Sequence, residues 1–250
     1  RMPAIGRIDT LVLMQSEPER YTRKPREFEP AIGSEPTLET IGAWAQRHAG
    51  GVQSVLHEVI SDLVHLDVHV CPHDPQGCVT LVTSGMSDRP MPGAEKFGVP
   101  PYAELIMRLP RDWALPPARE SITEWWTRDA WPTGLLKWLA RFPHLYGSGR
   151  GFGHTLALAD PPAPLHESVR FVGVILLPPV RLGEDSYVVR ASDGRQIHLY
   201  SVIPLLADEM DFKVKRGLDA LLKRFDSARA IDVLNVDRQS VVRGRRRFGS

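Results

Sequence analysis

The segment Cys78-Val-Thr-Leu-Val-Thr-Ser-Gly-Met-Ser-Asp-Arg-Pro-Met91 opens as a β-branched run and then breaks into Ser, Gly, Asp and Pro. That is the composition of a strand that delivers a polar turn to a sheet edge. Val79, Leu81 and Thr83 alternate with Thr80, Val82 and Ser84, so both faces are moderately apolar and the strand is expected inside a sheet covered on both sides. Gly85 then lets the chain turn. A loop of about a dozen residues follows, long enough for a binding role. It leads into a second strand, Tyr102 to Leu109, with Ala103, Leu105, Met107 and Leu109 on one face.

Ahead of this pair, residues 1–35 mix Pro, Glu, Arg and Gly with few apolar side chains and read as an N-terminal extension. Thr37 is expected to cap a helix with Leu38, Ile41, Trp44 and Ala45 on one stripe, stopped by Gly50-Gly51. From Val52 to Cys71 the period falls to two. Leu66, Val68 and Val70 face one way and His65, Asp67, His69 and Cys71 the other, as two strands joined near Ser61-Asp62.

Behind the pair, Trp131-Pro132 opens a helix that buries Leu135, Trp138, Leu139 and Phe142 and is ended by Pro143. Gly147 to Gly153 reads as a mobile connection. Strands are expected at His154 to Leu158, Val169 to Leu177, Tyr187 to Arg190 and Gln196 to Pro204, the last two joined through Asp193-Gly194. One long helix follows from Asp208, carrying Met210, Val214, Leu218, Leu221 and Phe225. Gly217 weakens it by about 1 kcal/mol relative to alanine. With no internal repeat or second linker, the expected architecture is one α+β domain, a mixed, largely antiparallel central sheet with flanking helices. It spans residues 36–226, and 227–250 form a basic C-terminal segment attached to it.

A composition of 42% hydrophobic and 24% charged residues is that of an ordinary globular protein. The longest early apolar run, Leu11 to Met14, is too short for a membrane span or a secretory core, so the cytoplasm is the expected location. Cys71 and Cys78 are read as free thiols, since one pair is no disulfide framework in a chain of this size. The net charge of +1 combines six Arg against two Asp in Ser227 to Ser250 with a slightly acidic remainder. Neither part is charged enough to point to a nucleic-acid partner.

The richest cluster of candidate metal ligands is His65, Asp67, His69, Cys71, His73 and Cys78, because alternate residues on one strand face can share an ion. Paired Cys-x-x-Cys or His-x-x-x-His spacing is missing, Pro72 bends the strand before His73, and no metal or cofactor is expected. Thr83 to Ser87 lacks the Gly-x-Ser-x-Gly elbow. Its hydroxyls are expected to bond backbone groups at the strand end. Glu58, Asp62 and Asp67 read as caps and surface charges. The glycines of 147–153 come without Gly-Lys-Ser or Gly-Lys-Thr. The tail Arg243-Gly-Arg-Arg-Arg247 has no interleaved aromatic residues and reads as solvated. No catalytic residue stands out, and the enzyme alternative is a metal-dependent or Cys/His hydrolase using His69, Cys71 and His73.

Taken in order, Val55-Leu-His-Glu58 with Ser61-Asp62, Asp67-Val-His-Val70, Leu81 to Asp88 with Pro90-Met91, and Ala103-Glu-Leu105 running to Leu109-Pro110 resemble the suppressor of fused family. The likeness continues through Trp131-Pro132, Leu139-Ala-Arg-Phe-Pro-His144, His154-Thr155, Ile203-Pro-Leu205 and Glu209-Met210, from about Val55 to about Val241. It implies a mixed sheet with flanking helices and a binding role. Animal members sequester a transcription factor, and bacterial relatives look like immunity proteins that neutralise toxins deployed against neighbouring cells. The bacterial pattern fits better, since the animal protein's second domain has no counterpart here. The implied function is a non-enzymatic antitoxin whose partner is a cognate toxin domain; a transcription-factor-sequestering regulator is a third reading. In the animal proteins the partner site draws on the loop after the Ser-Asp turn. Here Pro90-Met-Pro-Gly replaces a tyrosine-bearing segment, and Lys96 lies roughly where the animal members carry an acidic partner contact. The location is therefore expected to persist while specificity differs. The expected partner-binding residues are Asp88, Arg89, Met91, Glu95, Lys96 and Phe97, with the alternative that Met91 and Phe97 staple the loop to the core.

Overall fold

The structure, a computed structural model, describes residues 10–14, 18–22, 25–115, 127, 129–228 and 232–242. In chain order the strands are β1 (Thr10–Met14), β2 (Pro18–Thr22), β3 (Ser54–Leu56), β4 (Asp67–Cys71), β5 (Val79–Ser84), β6 (Ala103–Leu109), β7 (Thr155–Ala157), β8 (Phe171–Leu177), β9 (Val188–Arg190) and β10 (Gln196–Leu206). The helices are α1 (Glu35–His48), α2 (Trp131–Tyr146), α3 (Ala207–Arg216) and α4 (Leu218–Ala228). The strands make one sheet in the order β2-β1-β7-β8-β10-β6-β5-β4-β3, with β9 also paired to β10. Among the described residues every strand pairing is antiparallel except that of β6 with β10, where Leu105 lies opposite Tyr200, and Arg108 makes an isolated parallel bridge to Val233. This is the α+β architecture the sequence predicts.

Alternation along the strands assigns the faces. On one face α1 packs Ile41, Trp44 and Ala45 against Cys71, Val82, Ile106, Ile197 and Leu199. Further along the same face Met210, Leu221 and Phe225 of α3 and α4 cover Ile175, Leu177, Ile203 and Leu205. On the other face α2 sets Trp131, Leu135, Leu139 and Phe142 over Val68, Val70, Leu81, Leu105 and Met107. Both sides being covered, β5 and β6 are buried along their whole length. In β6 the odd-numbered residues fill the α2 side, which leaves Glu104, Ile106 and Arg108 on the other.

Several elements differ from expectation for physical reasons. Residues 10–14 and 18–22, read as part of an extension, form a hairpin whose first strand pairs with β7. A four-residue apolar run is weak as a sequence signal but sufficient where main-chain bonds supply the join. Helix α1 starts two residues before Thr37, with Ser34 at its N-cap and Pro36 in its first turn. Helix α2 runs through Pro143 to Tyr146, where Gly147 at φ +63° caps it. Proline removes only one hydrogen bond there, and Tyr146 stacks on Phe142 at 4.7 Å. The last helix is two helices, because Gly217 takes φ +83°, ψ 172°, a conformation outside the helix and easy only for glycine.

The segment 232–242 is held to the body by charge. Arg108, 2% exposed, bonds Asp74 through Nε (2.8 Å) and Nη2 (2.7 Å) and Asp232 through Nη1 (2.5 Å). Arg238 pairs with Glu209 at 2.5 Å. Among the described residues no helix is long and apolar enough to cross a membrane.

Candidate functional site

The Ser-Asp turn that ends β5 is gripped from four directions. Gly85 has φ +106°, and a Cβ there would stand 1.7 Å from the His65 carbonyl oxygen, so both the turn and the close approach require glycine. Glu104, fully buried on β6, accepts four hydrogen bonds. Thr83 Oγ1 donates to Oε2 at 2.6 Å, while Gly85 N (2.9 Å), Ser87 N (2.9 Å) and Ser87 Oγ (2.7 Å) donate to Oε1. Burial pushes this carboxyl up to about 7, with the bonds from Thr83 and Ser87 opposing. From α2, His144 Nε2 donates to the Met86 carbonyl at 3.0 Å. From the β9–β10 turn, Arg195 donates to the Ser87 carbonyl and to Thr37 Oγ1. Asp88 accepts the backbone N–H of Ser34 at 3.0 Å, joining the turn to the start of α1. The hydroxyls of Thr83 and Ser87 were expected to bond main-chain groups; Thr83 Oγ1 does so, accepting the Leu105 N–H at 2.8 Å, but both hydroxyls give their protons to Glu104, a charged acceptor on the neighbouring strand.

The loop after the turn is compact. Met91 N donates to Pro101 O (2.7 Å), Phe97 N to Gly93 O (3.2 Å) and Val99 N to Ala94 O (3.0 Å). Of the residues expected to bind a partner, Asp88 is half-buried and burial raises its carboxyl pKa, with Thr37, Ser34 and Arg195 opposing. Arg89 is exposed and pairs with Glu29 at 2.6 Å. Glu95 and Lys96 are exposed. Met91, by contrast, is 2% exposed and belongs to the core under α2. Phe97 is half-buried, edge-on to His154 at 6.4 Å. Met91 is thus a staple, and Phe97 is partly one.

The 147–153 loop, expected to be mobile, packs against this one. A Cβ on Gly149 would lie 2.6 Å from Ala94 Cα, and one on Gly151 2.8 Å from Val99 Cγ1. Gly149 and Gly151 therefore serve close packing, while Gly147 serves the left-handed cap of α2. Between the loops the buried guanidinium of Arg150 stacks over Phe142 (4.6 Å), Tyr21 (5.0 Å) and Phe97 (5.6 Å). The 88–98 and 147–153 stretches are one surface, bearing Arg89, Glu95, Lys96 and the half-exposed Phe152.

The catalytic alternative finds little in the geometry. Cys71 is buried under α1 and its thiol is pushed up to about 12 by burial, with Asp74 adding. His69 Nε2 bonds Ser84 Oγ at 2.8 Å, but both are buried and closed to a substrate. His73 is exposed. Among the described residues, the histidine and carboxylate atoms that converge are those of His57, His65 and Asp67 instead. Glu58 pairs with Arg141 and Asp62 with Arg26, each at 2.6 Å, so these carboxylates tie the fold together. The basic tail at 243–247 lies outside the described residues. Glu104 and Arg195 were not singled out in the sequence, although a charged residue among the buried positions of β6 is itself a signal of a bonded carboxylate.

Comparison with known proteins agrees with this fold. The suppressor of fused protein (SUFU) family profile matches residues 62–239. No curated protein sequence matches the chain. Among solved structures, a SUFU homolog from Neisseria gonorrhoeae is 15% identical with a TM-score of 0.56, covering 83% of this chain and 96% of that one. The Sufu–Fu complex is 17% identical with a TM-score of 0.53, covering 85% and 93%. Drosophila Suppressor of Fused is 17% identical with a TM-score of 0.52, covering 82% and 51%. At such identities the structural likeness is one of fold, while the profile spans well over half of the sequence, and on that match this chain belongs to the suppressor of fused family.

Proposed function

We propose that this protein is a non-enzymatic immunity protein of the cytoplasm that neutralises a cognate toxin domain by direct binding, through the surface formed by residues 88–98 and 147–153. The observation that carries this reading is how densely that surface is bonded. Exposed Arg89, Glu95 and Lys96 sit on a loop closed by its own main-chain bonds and by Arg150 over Phe97, and the turn it leaves from is held by Glu104 and Arg195. A preorganised surface loses little entropy on association. A protein-binding role is supported by a solved structure of this fold that is a complex with a protein partner, Sufu–Fu. The mixed charges here, and Lys96 in particular, favour a different partner from that of the animal proteins.

The test is co-expression with the toxin-like gene that neighbours its own. Protection of the host cell is expected, and failure to protect against every such neighbour sinks the immunity reading. With a partner in hand, Arg89→Glu combined with Lys96→Glu is expected to weaken binding roughly tenfold by calorimetry while leaving the melting temperature nearly unchanged. Unchanged affinity in that folded variant would remove this surface as an electrostatic contact.

A further inference from the structure

The β3–β4 hairpin ends in side chains that the proposed binding surface does not use, although Asp67 Oδ1 also accepts the Glu58 backbone N–H at 3.3 Å. Its ladder sets Leu56 opposite Val68, and one step further His57 comes opposite Asp67, while His65 lies two residues before Asp67 and so on the same side. His57 Nδ1 is 3.0 Å from Asp67 Oδ2 and His65 Nε2 is 3.2 Å from Asp67 Oδ1. One atom from each residue falls within 4.8 Å of the other two. Donors around a single tetrahedral ion stand about 3.4 Å apart, so small side-chain rotations suffice.

The neighbouring hydrogen bonds fix which nitrogen of His65 carries its proton. Glu58, ion-paired with Arg141, takes the hydroxyl proton of Ser61 on Oε2 at 2.9 Å. With that proton committed, Ser61 Oγ accepts from His65 Nδ1 at 2.7 Å. Neutral His65 is therefore protonated on Nδ1, and the lone pair of Nε2 faces a carboxylate oxygen. Two acceptors in that position need a positive particle between them, a second proton or a metal ion. An oxygen holding Nδ1–H while Nε2 is left free is the outer-shell arrangement of metal-binding histidines. His57 stands at the rim, 66% exposed against 2% for Asp67, and can close on an ion from the solvent side.

We propose that His57 Nδ1, His65 Nε2 and the Asp67 carboxylate bind one divalent transition ion of the zinc class, with a remaining position open to water or to a side chain of a bound protein. Two imidazoles and one carboxylate suit such an ion, whereas Mg²⁺ and Ca²⁺ favour oxygen throughout. Strand alternation already groups His65 and Asp67 among six candidate ligands; the site keeps these two and takes its third, His57, from the opposite strand, leaving out His69, Cys71, His73 and Cys78.

Zinc chloride alone, titrated by calorimetry into the EDTA-stripped full chain, tests this, with melting followed in parallel. One ion per chain and a raised melting temperature are expected, with no competition from magnesium chloride. His57→Ala removes an exposed ligand without touching the core, and Ser61→Ala frees the His65 tautomer without removing a ligand. Each is expected to weaken zinc binding about 10–100-fold. His73→Ala leaves it unchanged. The proposal is overturned by the absence of saturable zinc binding, by wild-type affinity in His57→Ala, or by loss of binding in His73→Ala.

Discussion

Glu104 is a buried carboxylate to which, among the described residues, no basic side chain is hydrogen-bonded; its charge is met by two hydroxyls and two main-chain N–H groups. Glu104→Ala removes the acceptor for all four donors at once, and is expected to cost about 3–5 kcal/mol in urea unfolding, the range for breaking a buried charged network by deleting one partner. Glu104→Gln keeps an acceptor for the three donors at Oε1 but turns an amide toward Thr83, and is expected to cost about 1–3 kcal/mol. Equal losses in the two variants would mean that packing, and not acceptance, is what the residue supplies. This role was only half legible in the sequence. Alternation puts a charge on a strand face between two helices, which announces a bonded partner, but the partner lies about twenty residues back in a turn whose shape depends on the His65 backbone approaching Gly85. The convergence of His57 on Asp67 is hidden in the same way until the hairpin register is known.

At the scale of elements, the joined loops make the sharpest prediction. Gly149→Ala sets a methyl against the Ala94 backbone and is expected to cost about 1–3 kcal/mol, since neither loop can retreat without lifting Arg150 or Val99. Gly42→Ala is its counterpart: nothing lies within 4 Å of the new methyl on α1, and a gain of about 0.5–1 kcal/mol is expected. Thermal melts of the two variants should move in opposite directions, and a neutral Gly149→Ala would show the loops to be loosely joined. Strands β5 and β6, the Asp193-Gly194 turn and the α2 stripe were legible because their signals are local. The broken last helix was not, because Met210, Leu221 and Phe225 keep helical spacing across a residue that leaves the helix. The 147–153 loop misled for a related reason. Glycine marks freedom and close packing alike, and only the neighbour tells which.

Across the whole molecule, buried titratable groups set the pH response. Burial brings His144 down to about 4, and burial together with Arg150 and Lys213 does the same to His154. The stability these neutral imidazoles contribute is full above their ordinary 6.5 and is lost as pH falls through about 4. Glu104 runs the other way, its raised pKa giving a contribution that is full below 4.5 and lost as pH rises through about 7. Burial lowers His48, His69 and His198 as well, and raises Asp88 and Asp232; with the imidazoles in the majority, the melting temperature is expected to fall between pH 6.5 and 4, and to fall more steeply in Glu104→Gln. A flat profile in both proteins would place the imidazoles in contact with water.

The one parallel seam has a further consequence, in time rather than in space. Strands β3 to β6 can zip together as short-range hairpins, but β6 waits for β10, which ends 97 residues after Leu109. At 5–20 residues per second a ribosome needs roughly 5–20 s to supply it. During that interval β6 is an open edge, the kind of surface on which unfinished sheets of different chains adhere. Its two charged residues, Glu104 and Arg108, are costly to satisfy in the finished protein, yet on the half-made sheet they are inward-pointing charges on an unpaired strand and deter a stranger from docking there. The residues that hold the mature turn and the C-terminal segment also act as gatekeepers of the nascent chain.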